Sequence, residues 1–93
     1  MQCPSEGGKQ DMPEISRFLG IVIYMYFSEH NPPHIHVKYN EFKALMSIDN
    51  LNLLEGYLPA RVRGIVEEWV EIHRGELLEI WSSKSFRKIP PLI

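Results

Sequence analysis

Three of the four histidines, His30, His34 and His36, fall within seven residues around a double proline, in the stretch HNPPHIHVKY that ends at Tyr39. Imidazole changes charge near neutral pH and is also a common metal ligand, so the cluster is a candidate for proton transfer or metal binding. On an extended strand His34 and His36 leave the same side about 6.6 Å apart along the chain, a spacing from which two rings can converge on one ion. Two ligands are too few for zinc, which takes three or four protein groups; the others would have to come from His30 and Glu29 or from His73. The plain alternative is a set of solvated histidines on an open sheet face. No cofactor is expected on that reading, and a divalent metal such as zinc on His34 and His36 is the alternative.

The elements that must position these residues are legible from pattern. Phe18 to Phe27, FLGIVIYMYF, is rich in β-branched and aromatic residues and predicts a strand. In it Leu19, Ile21, Ile23, Met25 and Phe27 share one face, and Phe18, Val22, Tyr24 and Tyr26 the other. Pro32 and Pro33 lack the N–H a ladder needs and mark the following loop. A second strand, His34 to Tyr39, alternates His34, His36 and Lys38 with Ile35, Val37 and Tyr39. Asn40-Glu41 suits a tight reversal into a third strand, Phe42 to Ile48, whose core side is Phe42, Ala44, Met46 and Ile48. Asp49-Asn50 marks another turn, before a short fourth strand over Leu51 to Glu55.

From Pro59 the period changes to 3.6. Val62, Ile65, Val66, Trp69, Ile72, His73, Leu77, Ile80 and Trp81 make one apolar stripe, predicting a helix of five or six turns with proline at its first position. Lys84, Arg87 and Lys88 then form a basic tail. The fold class expected is α+β: an antiparallel meander of three to four strands with one long helix packed on one face. If Ile35 and Val37 face that helix, parity sends His34 and His36 to the other side, together with Tyr24, Tyr26 and Lys38 and near Lys43. His73 lies on the helix stripe and is expected to be a core histidine with one hydrogen-bond partner.

Such a face has the parts of an RNA platform: rings for stacking, a lysine for phosphate, and imidazoles able to move protons. Cleavage through a 2′-hydroxyl needs a base, an acid and a cation, which His30, His34, His36 and Lys38 beside Tyr24 and Tyr26 can supply without metal. Aromatic residues at strand spacing equally suit a packing surface for a homodimer or a partner chain.

Composition bounds the rest. Ninety-three residues at 44% hydrophobic content suit one small domain, with residues 1–11 a disordered extension and 12–93 the α+β unit. Ten basic against twelve acidic residues deny it the strong positive field of most nucleic-acid binders, so an RNA site would be local. A single cysteine, Cys3, excludes a disulfide framework within the chain and fits a reducing, cytoplasmic setting. No run approaches the roughly 18 apolar residues a membrane span needs, and no phosphate loop, dinucleotide glycine fingerprint or nucleophile motif is present.

The run from Met12 to Tyr39, MPEISRFLGIVIYMYFSEHNPPHIHVKY, followed by LEGYLP at Leu54 to Pro59 and EEWVEIHRGELLEIW at Glu67 to Trp81, resembles the bacterial domain of unknown function 4160 family. The resemblance rests on an M-P-x-I-S-x-F start, an H-N-P-P-H-x-H loop and strand, and a W-x-x-x-H-R helix. It covers nearly everything after residue 11, and Asn40 stands where the family commonly has glycine. It implies a small cytoplasmic, toxin-like protein of a toxin-antitoxin pair, neutralised by a small antitoxin-like partner. The signature histidines fall at His30, His34, His36 and His73, and the family brings no settled catalytic assignment.

Overall fold

A computed structural model describes residues 14–26, 31–85 and 87–92. The expected extension over 1–11 and the candidate His30 lie outside the described residues. Five antiparallel strands follow one another in sheet order: β1 (Glu14–Phe18), β2 (Ile21–Tyr24), β3 (His34–Tyr39), β4 (Phe42–Ser47) and β5 (Leu53–Gly56). One helix, α1 (Ala60–Ser83), closes one face. The α+β meander is as the pattern implied, but among the described residues it has five strands rather than three or four.

The extra strand comes from a hairpin hidden inside an apolar run. Leu19 and Gly20 both take positive φ, 53° and 78°, which a two-residue reversal between twisted strands requires. Phe18 therefore stands opposite Ile21 and joins the core instead of sharing a face with Val22 and Tyr24, while Leu19 at the turn is exposed. The second reversal falls where the sequence places it: Tyr39 stands opposite Phe42 across Asn40-Glu41, and Asn40 carries φ 54°. The third hairpin closes through Asp49 and Asn50, with the Asn52 N–H donating to Asn50 Oδ1 (3.0 Å).

Ile21, Ile23, Ile35, Val37, Ala44 and Met46 are buried on one side of the sheet, in the same core cluster as Val62, Val66, Trp69, Val70, Leu77 and Ile80 of α1. Phe18 meets the Trp69 ring at 6.0 Å between centroids, which ties the first hairpin to the middle of the helix. The expected stripe needs two corrections. Ile72 is 60% exposed and Val70 is buried. At about 100° per residue Ile72 points far round from the Val66–Trp69–Leu77 line, whereas Val70 lies close to it. Pro59 is the N-cap residue rather than the first helical one, and α1 leaves helical dihedrals at His73 (φ −109°, ψ 17°) before ending in a left-handed Lys84.

The segment expected as a basic tail folds back on the sheet. The Ile89 N–H donates to Ile15 O (3.0 Å), Ile89 is buried, and the Trp69 indole N–H donates to Pro90 O (3.0 Å). This return covers the outer edge of β1, where an open strand would otherwise expose unpaired backbone groups. Its charges stay outside: Arg87 reaches Glu79 (3.3 Å) and Lys88 approaches Glu14 (3.9 Å).

Candidate functional site

The sheet face away from α1 carries two neighbouring cross-strand rows. Along one, Glu14, Tyr24, His36, Leu45 and Glu55 stand opposite one another across all five strands. Along the other, Arg17, Val22, Lys38 and Lys43 do the same across four. Glu14 and Arg17 are three apart, so strict alternation would send them to opposite faces. A register shift between Glu14 and Ser16 reverses the parity and puts both on this face. There Arg17 holds the Glu14 carboxylate with two hydrogen bonds, Nε to Oε2 at 3.2 Å and Nη2 to Oε1 at 2.9 Å. Those bonds hold the Glu14 carboxyl below its ordinary pKa, against a smaller opposing effect of burial.

The first row is a ring cluster. The Tyr24 and His36 rings are stacked, with centroids 5.1 Å apart and planes at 21°. Tyr26 stands edge-on to both, 4.5 Å from His36 and 5.9 Å from Tyr24. Tyr24 is the covered member, while Tyr26 and His36 remain half-buried. Burial, helped by the neighbouring Tyr26, pushes the Tyr24 phenol above its ordinary pKa, so near neutral pH it is a hydroxyl donor rather than a phenolate.

His34 stands apart from the expected picture of an open pair. Parity holds, since its ring lies 5.4 Å from that of His36, but His34 is only 6% exposed. The cause is Trp81: in the last turns of α1 its ring passes the end of β3 and lies 5.1 Å from the His34 ring. Trp81 is held there by its indole N–H donating to Asn31 Oδ1 (3.1 Å) and by Lys84 Nζ, 4.5 Å over the ring. The His34 Nδ1–H donates to Pro32 O (2.8 Å). Rings thus run in a chain from Trp81 in the helix, through His34, to His36 and Tyr26 at the surface.

His73 is not part of this assembly. Its ring packs on Trp69 (5.1 Å), and Nδ1–H donates to Glu76 Oε1 on its own helix. Lys38 and Lys43 are exposed and stand directly opposite one another. Among the described residues no three of His, Cys, Asp and Glu converge as a metal site would need. A zinc reading of His34 and His36 would draw its third ligand from outside the described residues, and must work with His34 Nδ1 already committed to Pro32 O. Three contributors escaped the sequence reading: Trp81 as the cover of His34, Asn31 as its anchor, and the Glu14–Arg17 pair at the rim. Asn31 beside two prolines was the one available signal; the bulge that aligns Glu14 with Arg17 left none.

A family model described as a domain of unknown function, DUF4160, matches residues 20–82. The chain belongs to that family. The match takes in the ring cluster, His34, Trp81 and both lysines, and leaves out β1 and the returning segment 87–92. No curated protein and no solved structure matches the chain. None of the helices among the described residues is long and apolar enough to cross a membrane.

Proposed function

We propose that the sheet face away from α1 binds single-stranded RNA by ring stacking, and that the chain is the toxin-like component of a two-protein module acting on RNA or translation in the cytoplasm. The observation that carries this reading is the Tyr24–Tyr26–His36 cluster, three rings in mutual contact on the side of the sheet that the helix does not use. Bases stack on such rings without regard to sequence, at about 1–3 kcal/mol per base. The imidazole of His36 at the cluster's surface then lies within reach of a sugar hydroxyl. It takes the 2′-hydroxyl proton, the 2′-oxygen closes on the adjacent phosphorus, and the bond from phosphorus to the 5′-oxygen breaks. The departing oxygen takes up a proton from water or from the neighbouring Tyr26 phenol. A partner protein that covers the same face silences the activity, which accounts for a small domain leaving the Tyr26 and His36 rings partly exposed there.

The test combines binding, cleavage and growth. Fluorescence anisotropy with a labelled unstructured RNA is expected to show salt-dependent binding that Tyr26→Ala weakens by about tenfold. His36→Ala is expected to weaken binding no more than Tyr26→Ala does, and, at RNA concentrations that restore saturation, to abolish cleavage, with growth arrest on expression lost as well. Wild-type protein that binds no RNA sinks the stacking reading. Growth arrest that persists in a folded His36→Ala variant sinks the catalytic one and leaves a non-catalytic interaction module.

A further inference from the structure

The second row of that face raises a separate question. Lys38 and Lys43 are cross-strand partners, both exposed, and neither makes an ion pair among the described residues. Like charges set directly opposite in an antiparallel pair are destabilising, because their Cβ atoms lie only about 5 Å apart. Arg17, the other cation in the row, is already neutralised by Glu14. Lys38 and Lys43 therefore face one concavity of about 580 Å3, lined also by Val22, Tyr24 and Tyr26 and, on its β1 side, by the paired Glu14 and Arg17.

We infer that Lys38 and Lys43 form a binding site for a phosphate ester whose attached ring lies on the Tyr26–His36 cluster. A tetrahedral dianion offers several acceptor oxygens and removes the repulsion between the ammonium groups as it binds. The basic row lies two residues along the strands from the ring row, since Lys38 follows His36 and Val22 precedes Tyr24 by two positions. That offset is about 6.6 Å along the strands, close enough for one small ligand to engage both rows. Tyr24, whose phenol is a neutral hydrogen-bond donor near neutral pH, lines the same concavity. The site shares a face with the proposed RNA surface but does not require RNA. A free mononucleotide and one unit of an RNA strand present the same chemistry.

The experiment is a 1H–15N titration of the full chain with inorganic phosphate, uridine, uridine 5′-monophosphate and oligouridylate, repeated on Lys38→Gln/Lys43→Gln. Phosphate is expected to move the amides of Val22, Lys38 and Lys43, and the monophosphate to move those together with Tyr24 and His36. The double variant is expected to bind the monophosphate at least tenfold more weakly, with its response to uridine unchanged, because hydrogen bonds to charged groups are the stronger kind. In phosphate-free buffer the variant is also expected to melt higher than wild type, and phosphate to raise the Tm of wild type alone. Phosphate and monophosphate that leave the basic row unmoved, or a double variant that binds the monophosphate as wild type does, overturn the inference. Oligouridylate and monophosphate that both bind regardless of the lysines overturn it while sparing the RNA reading. Monophosphate binding through the lysines with no gain for oligouridylate upholds the site and sinks RNA as its ligand.

Discussion

Ile89→Ala tests whether the C-terminal return is part of the fold. Ile89 is 3% exposed, its N–H donates to Ile15 O, and the next residue accepts the Trp69 indole N–H. Truncating a buried isoleucine to alanine costs about 2–5 kcal/mol; at the sheet margin, where neighbours can close in, the lower end applies, about 2–3 kcal/mol. If the segment also lifts, the buried Trp69 N–H loses Pro90 O, adding about 1–3 kcal/mol for an unpaired donor. A chain of this size has roughly 5–14 kcal/mol in all, so the substitution removes a large fraction of its stability. In a urea titration followed by tryptophan fluorescence, the midpoint is expected to fall by roughly 1–2 M. Ile89→Val should recover most of the loss, and Arg87→Ala, an exposed change, should stay within about 0.5 kcal/mol of wild type. An Ile89→Ala midpoint indistinguishable from that of Arg87→Ala would refute the docking of this segment, and with it the account of how the edge of β1 is covered.

The two strand histidines should separate. His34→Ala opens a space beside Trp81 and leaves Pro32 O without its partner, so a loss of about 2 kcal/mol is expected, against under 1 kcal/mol for the half-exposed His36→Ala; equal losses in chemical denaturation would contradict the burial of His34. Gly56 has φ +82°, and a Cβ there would meet Lys43 O at 2.1 Å, so Gly56→Ala is expected to cost at least about 2 kcal/mol and to broaden the β4 and β5 amide signals. The Glu14 carboxyl is depressed by Arg17, so its contribution is present above the ordinary glutamate range and is lost as pH falls below it. Glu14→Gln should therefore lower Tm only slightly at neutral pH, because so exposed a pair adds little, and converge with wild type at acid pH, which flattens the acid limb; an acid limb as steep as that of wild type would show that the pair adds nothing.

Reach along the chain explains what was legible. Alternation from His34 to Tyr39 and the reversal at Asn40-Glu41 depend on neighbours one to three residues apart, so the strand, its register and the common side of His34, His36 and Lys38 follow from local pattern. The 3.6-residue spacing of Val62, Val66, Trp69, Leu77 and Ile80 likewise specifies the helix and its buried side. The hairpin at Leu19-Gly20 was masked because the apolar run continues through it, and the reversal shows only in two backbone dihedrals.

Tertiary structure alone decided three things. The bulge before Ser16 realigns Glu14 with Arg17, an inserted residue that no periodicity reveals. The return of Ile89 onto β1 joins residues 74 positions apart in a segment whose composition resembles a solvated tail. Trp81 covers His34, and so divides a histidine pair that is equivalent by parity into one buried ring and one at the surface. Side-chain direction is a property of the local backbone, whereas exposure depends on which distant element arrives above it, and that is settled only when the whole chain packs.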